Sequence, residues 1–159
     1  MIRRSLNFPF MAHVTPTQAM PRRITFHADG AITPHAAGAG ALAHDEHGAL
    51  MVLGNRRLPP MTNNEAEYAG LLLVLELAAP FRQAPIEIRM DSEIVVYQMR
   101  GRFSVNSPTL KMLHRQACAL TVNFAALTFT HVPREQNRLA DALAADAVAG
   151  RLWTLYEKG

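Results

Sequence analysis

A chain of 159 residues, 49% apolar and 18% charged, has the size and composition of one globular domain, which excludes a disordered or fibrous protein. Its single cysteine, Cys118, excludes an internal disulfide framework and fits a reducing compartment. No apolar run reaches the ~18 residues a bilayer requires. The run from Leu71 is interrupted at Glu76, and the stretch after Arg3 and Arg4 is broken by Asn7, Pro9 and His13, so neither a membrane span nor a signal peptide is read. The expectation is a cytoplasmic protein without a membrane and with no obligate protein partner evident.

The net charge of +3 is unevenly placed. Residues 1–23 carry Arg3, Arg4, Arg22 and Arg23 and no acid, whereas residues 24–150 hold ten arginines and lysines against twelve acids, a net of −2. The body is therefore not generally basic.

Residues 1–21 show neither helical nor strand period and read as an N-terminal arm. Ile24, Phe26 and Ala28 then alternate with Thr25, His27 and Asp29, the period of a half-buried strand ending at Asp29-Gly30. A loop with Pro34 leads to a small-residue strand from Gly38 to His44, and a turn at residues 45–48 to a third strand from Leu50 to Arg57. Three short strands with tight turns make an antiparallel meander. After Pro59-Pro60, Thr62 and Glu65 form a capping box that starts a helix to about Ala79, with Leu71, Val74, Leu75 and Ala78 facing inward. Ile86 to Met90 is a fourth strand ending at Asp91-Ser92, and a helix then runs to about Arg100, stopped by Gly101. Pro108 opens a helix to about Thr121, Phe124 to Thr130 is a fifth strand, and Asn137 to Ala149 is an alanine-rich helix. Strand-helix crossovers after a meander predict an α/β domain over residues 22–150: a mixed five-stranded sheet, antiparallel meander plus parallel strands, flanked by helices. Residues 151–159 read as a tail.

Four acids fall at the ends of these elements: Asp29 and Asp91 end strands, while Glu67 and Asp141 lie early in helices. Ligands gather at strand ends near a topological switch, and four carboxylates meeting there repel one another unless a divalent cation neutralises them. Oxygen ligands in that number suit Mg²⁺ or Mn²⁺, and a two-ion site suits in-line phosphoryl transfer.

The neighbours of those acids carry a resemblance. ITFHADGA, TNNEAEYAGLLLVLELA, IRMDSEIVV and HVPREQNRLADALA, in that order from about Ile24 to Ala149, resemble type 1 ribonuclease H. The HVPRE ending and the short stretch after Asp91 resemble the compact branch that lacks a basic protrusion. The resemblance implies a ribonuclease H-like fold and a metal-dependent endonuclease that hydrolyses the RNA strand of RNA/DNA hybrids. It also implies two ions, Mg²⁺ or Mn²⁺, per active site with substrate bound. By the same correspondence Asp29 bridges the ions, Glu67 and Asp91 serve the leaving-group side, and Asp141 serves the side of the attacking water. His131 matches an auxiliary histidine, and Arg134 lies within reach of a phosphate. Thr62, Asn63, Asn64 and Ser92 match or flank positions that touch the hybrid, where the 2′-hydroxyl marks RNA. His35 stands where many members have a minor-groove asparagine. With no protrusion, binding falls to Arg100, Arg102, Lys111 and Arg115 or to the arm. The alternatives are a non-catalytic nucleic-acid-binding module on this scaffold, or a nuclease of the same fold acting on junction DNA or double-stranded RNA.

Overall fold

The computed structural model describes residues 19–156; Arg3, Arg4 and most of the expected arm lie outside the described residues. In chain order the elements are β1 (Ile24–Ile32), β2 (Ala37–Asp45), β3 (Leu50–Leu58), α1 (Asn63–Ala78), β4 (Pro85–Met90), α2 (Glu93–Met99), α3 (Pro108–Thr121), β5 (Ala126–His131), α4 (Arg138–Val148) and β6 (Thr154–Tyr156). They form one sheet in the order β5-β4-β1-β2-β3-β6. The meander β1-β2-β3 is antiparallel, and β4 and β5 are added in parallel.

Two expectations are corrected. The sheet has six strands, not five, because part of the C-terminal tail pairs as β6 with β3 in antiparallel register. Three residues carry no readable alternation, and tertiary contacts fix them instead. Asn55 Nδ2 donates to the carbonyls of Leu143 and Arg151, and its Oδ1 accepts from Trp153 N. Trp153 Nε1 and Arg151 both donate to Asp146 on α4. The second correction concerns β1, which does not end at Asp29-Gly30 but continues to Ile32. Its parallel ladder with β4 stops at Ala28, level with Met90, while the antiparallel ladder with β2 runs on to Ile32 opposite Ala37. Asp29 is thus the first β1 residue with a strand on one side only, and the crevice opens there.

The helices cover both faces. Thr62 caps α1 as expected: its Oγ1 accepts from Glu65 N, and Glu65 Oε2 accepts from Thr62 N. Leu71, Val74, Leu75 and Ala78 are all buried, but so are residues around most of the helix, because α1 is sandwiched between the sheet and α3. The opposite face of β1–β3 is covered by α4. Glycines set how closely each helix lies. A Cβ on Gly30 would overlap the backbone of Ala66 on α1, and one on Gly40 would overlap the carbonyl of Ala140 on α4. Gly40 is the register partner of Asp29, so α1 from one face and α4 from the other both reach the sheet beside Asp29.

Candidate active site

That packing brings the expected acids together. Asp29 and Glu67 are buried, at 4% and 7% exposure, and Asp91 is half-buried. One carboxylate oxygen from each of the three lies within 4.8 Å of those of the other two. Glu67 reaches Asp29 because Gly70, one turn on, lets α1 rest on the β1 backbone: a Cβ there would lie 2.5 Å from the Asp29 carbonyl oxygen. Asp141, in the first turn of α4, is near enough to Asp29 to raise its proton affinity. It stands outside the tight trio, with Arg134 Nη2 3.7 Å from its Oδ2.

The electrostatics are unfavourable in isolation. Burial, then the charge of Asp91, pushes the Asp29 carboxyl up to about 7, although Gly30 N–H donates to its Oδ1 at 2.9 Å. Burial, then the charges of Asp29 and Asp91, pushes Glu67 up to about 9. Glu67 Oε2 is buried without a hydrogen-bond partner. Among the described residues, no lysine or arginine pairs with Asp29, Glu67 or Asp91. Three clustered carboxylates without a cation must either keep protons or bind a metal. An all-oxygen donor set with an orphaned buried oxygen fits a hard divalent cation.

The other expected residues are placed individually. His131 is exposed at the end of β5, level with Met90 and so one residue short of Asp91; its ring is 6.4 Å from that of Tyr97. Arg134 is exposed in the short turn Arg134–Gln136 before α4. Ser92 caps α2 by accepting from Val95 N, so its hydroxyl proton stays available, as does that of Thr62. Asn63 is exposed, whereas Asn64 is half-buried and lines a groove of about 450 Å³ with Gln98, Arg102 and Phe103. His35 is exposed in the turn between β1 and β2. Lys111 and Arg115 are exposed one turn apart on α3, and Arg100 lies 5.7 Å over the Tyr97 ring. Arg23, counted in the arm's charge, is held by Glu87 at 2.7 Å. One residue that sequence reasoning passed over is Asn137, which is 1% exposed and bonded to Asp91. Its signal was present, an asparagine inside the HVPREQN run immediately before the last helix, but polar residues there usually read as solvent-facing caps.

Comparison with known proteins agrees with this geometry. A family model described as "Reverse transcriptase-like" matches residues 27–147. Ribonuclease HI of Halobacterium salinarum is 37% identical over 128 residues, covering 79% of this chain and 64% of that protein. A bifunctional protein of Mycobacterium tuberculosis is 36% identical over 129 residues, 79% of this chain and 35% of the relative, so the chain spans about two thirds and one third of these two relatives. The crystal structure of RNase H1 from Halobacterium salinarum superposes with a TM-score of 0.77 at 36% identity, covering 80% of this chain and 98% of that one. LC11-RNase H1, solved in complex with RNA/DNA hybrid, gives 0.75 at 34% identity, covering 80% and 97%. Among the described residues no helix is long and apolar enough to cross a membrane. A match over most of the chain, at this identity, around an acidic cluster whose donors fit a divalent cation, places the chain in the type 1 ribonuclease H family.

Proposed function

We propose that this chain is a metal-dependent endonuclease that hydrolyses the RNA strand of RNA/DNA hybrids. The observation that carries the reading is the trio Asp29, Glu67 and Asp91, whose oxygens converge within 4.8 Å, with no lysine or arginine paired to them among the described residues. Asp29, Glu67, Asp91 and Asp141 are the residues that would hold two ions, Mg²⁺ or Mn²⁺, when substrate is bound; such ions would supply an activated water and stabilise charge on the departing oxygen. The protein's own work is placement. Asp29, which interacts with Glu67, Asp91 and Asp141 alike, would serve both ions, Glu67 and Asp91 would serve the one on the leaving-group side, and Asp141 the one that activates the attacking water. His131, at the rim beside Asp91, moves a proton or assists product release. Thr62 and Ser92 offer hydroxyl protons to backbone and sugar oxygens, and Asn63 and Asn64 offer amides to the minor groove, where RNA differs from DNA by its 2′-hydroxyl. Arg134 supplies a phosphate contact. Solved LC11-RNase H1 with its hybrid supports the substrate class.

The test is cleavage of end-labelled RNA/DNA hybrid, double-stranded RNA, double-stranded DNA and four-way junction DNA, each with and without Mg²⁺ or Mn²⁺. Metal-dependent cuts confined to the RNA strand of the hybrid are expected. Preferential cutting of the junction or of double-stranded RNA moves the chain to another substrate, and binding without cleavage under either metal makes it a recognition module.

A further inference from the structure

Asn137 occupies the position before α4 where an asparagine ordinarily caps the helix through its side chain, yet it makes no such bond. Its side chain is spent elsewhere. Nδ2 donates to the carbonyl of Ala28 at 2.8 Å and to Asp91 Oδ1 at 3.0 Å, and Oδ1 lies 3.2 Å from His27 Nδ1. Both partners of Nδ2 only accept, so the amide can face one way alone, and Oδ1 must accept from a His27 ring protonated at Nδ1. Ala28 is the last β1 residue paired with β4, and Asp91 is the first residue beyond β4. The amide therefore bridges the two strand ends where they part. The Asn137 carbonyl also accepts from Asp141 N at 3.1 Å, tying the first turn of α4 to the same point.

We infer that Asn137 is a positioning residue: its amide holds the Asp91 carboxylate in its place in the acidic cluster, and His27 fixes which way that amide faces. The inference rests on the reading of Asp91 as a metal ligand. A half-buried carboxylate with no cationic partner rotates freely unless something grips one of its oxygens, and partners that grip metal ligands typically set metal affinity or activity by about ten- to a hundredfold. His27 is part of the same chain of contacts because a flipped amide would turn its carbonyl oxygen toward two acceptors, Asp91 and Ala28, and lose both bonds.

The experiment is titration calorimetry of Mn²⁺ into the metal-free full chain, with circular dichroism as a fold control, for the parent and for Asn137→Ala, His27→Phe, Asp91→Asn and the Asn137→Ala/Asp91→Asn pair. Asn137→Ala should weaken Mn²⁺ binding by about tenfold or more, and His27→Phe by a smaller factor in the same direction. In the Asp91→Asn background, Asn137→Ala should weaken it no further, since the carboxylate it holds is gone. Unchanged affinity in Asn137→Ala while Asp91→Asn weakens binding overturns the inference, as does a loss that adds in full to that of Asp91→Asn. Should Asn137→Ala fail to fold, His27→Phe decides alone, and parent-like affinity there overturns the inference. Parent-like affinity in Asp91→Asn instead removes the reading of Asp91 as a ligand, a distinguishable failure.

Discussion

The acidic cluster has two halves built on opposite principles. Asp29 and Glu67 are buried where α1 lies on β1, and their carboxyls are brought together by backbone contact in spite of their charge. Asp91 and Asp141 are partly exposed and individually held by polar side chains, Asn137 and Arg134. The inner half owes its geometry to packing and pays in electrostatics, and the outer half does the reverse. The inner half should therefore govern whether catalysis and folding tolerate the site, while the outer half should tune it.

The largest expected effect follows from removing the inner charge. Asp29→Asn should lower hybrid cleavage by more than about a hundredfold, beyond what losing an outer partner typically costs. The metal-free variant should melt higher than the parent at pH 9, because an amide relieves the crowding among three carboxylates. An Asp29→Asn protein that retained a tenth of the activity would falsify its assignment as the bridging ligand. Lower melting at pH 9 would mean that Asp29 is a net stabiliser, and the contrast between the halves would fail.

Next in size is the contact that forces the inner pair together. In a helix interior, alanine is favoured over glycine by about 1 kcal/mol, so propensity alone makes Gly70→Ala stabilising. The Cβ would, however, stand 2.5 Å from the Asp29 carbonyl, and overpacking of that kind costs about 1–3 kcal/mol. The atoms it meets are all backbone of Asp29, so no side-chain rotation relieves the overlap, and it should win. Gly70→Ala is expected to melt several degrees below the parent and to bind Mn²⁺ more weakly, since Glu67 is displaced from Asp29. A rise in Tm would show that α1 is free to lift.

The pH response reads the same frustration. Folded Asp29 and Glu67 hold protons up to about 7 and about 9, well above the ordinary carboxyl range near 4. The stability they confer is complete below that range and is lost as pH rises through their folded values. His27 is shifted the other way by burial, so its contribution is lost as pH falls below about 6.5, and the useful window is pH 7 to 9. Metal-free protein should lose thermal stability across that window, Mn²⁺ should restore more of it at pH 9 than at pH 7, and Asp29→Asn should flatten the slope. A metal-free Tm that is level from pH 7 to 9 in the parent would contradict the raised carboxyls.

This division also explains what the sequence made legible. The capping box at Thr62 and the meander followed by crossovers are local patterns, and each survives as an observed feature; of the four acids picked out by position, Asp29, Glu67 and Asp91 converge and Asp141 stands apart from them. The extension of β1 past Asp29 is not local: it depends on β2 continuing to pair after β4 has left. The burial of Glu67 depends on Gly30 abutting the Ala66–Glu67 backbone and Gly70 abutting that of Asp29, visible in sequence only as an Asp-Gly step and a Glu-x-x-Gly spacing. β6 depends on Asn55, Asp146 and Trp153 finding one another. Asn137 reads only as the first residue of the last helix, and its three partners reveal another use.

The smallest effect belongs to the outer rim. Arg134 is 77% exposed and Asp141 38%, with 3.7 Å between them, so solvent screens the pair and its loss should change stability by no more than about 1 kcal/mol. Its functional consequences should nevertheless carry opposite signs. In metal-free protein Arg134 is the cation paired with Asp141 among the described residues, so Arg134→Ala should leave Asp141 freer and tighten Mn²⁺ binding slightly. Once metal takes up that charge, the guanidinium is available to a phosphate of the hybrid. Its removal should then weaken hybrid affinity at low salt and flatten the slope of log affinity against log salt by about one unit. Arg134→Lys should keep most of the salt slope, since a single phosphate contact needs charge more than a planar fork. Measuring Mn²⁺ affinity and hybrid affinity on the same two variants separates the readings. Opposite movements in Arg134→Ala place the residue between metal and substrate as the rim's adjustable counter-charge. Weakening of both would instead mean that Arg134 braces the turn before α4, and the outer half would then depend on packing as the inner half does.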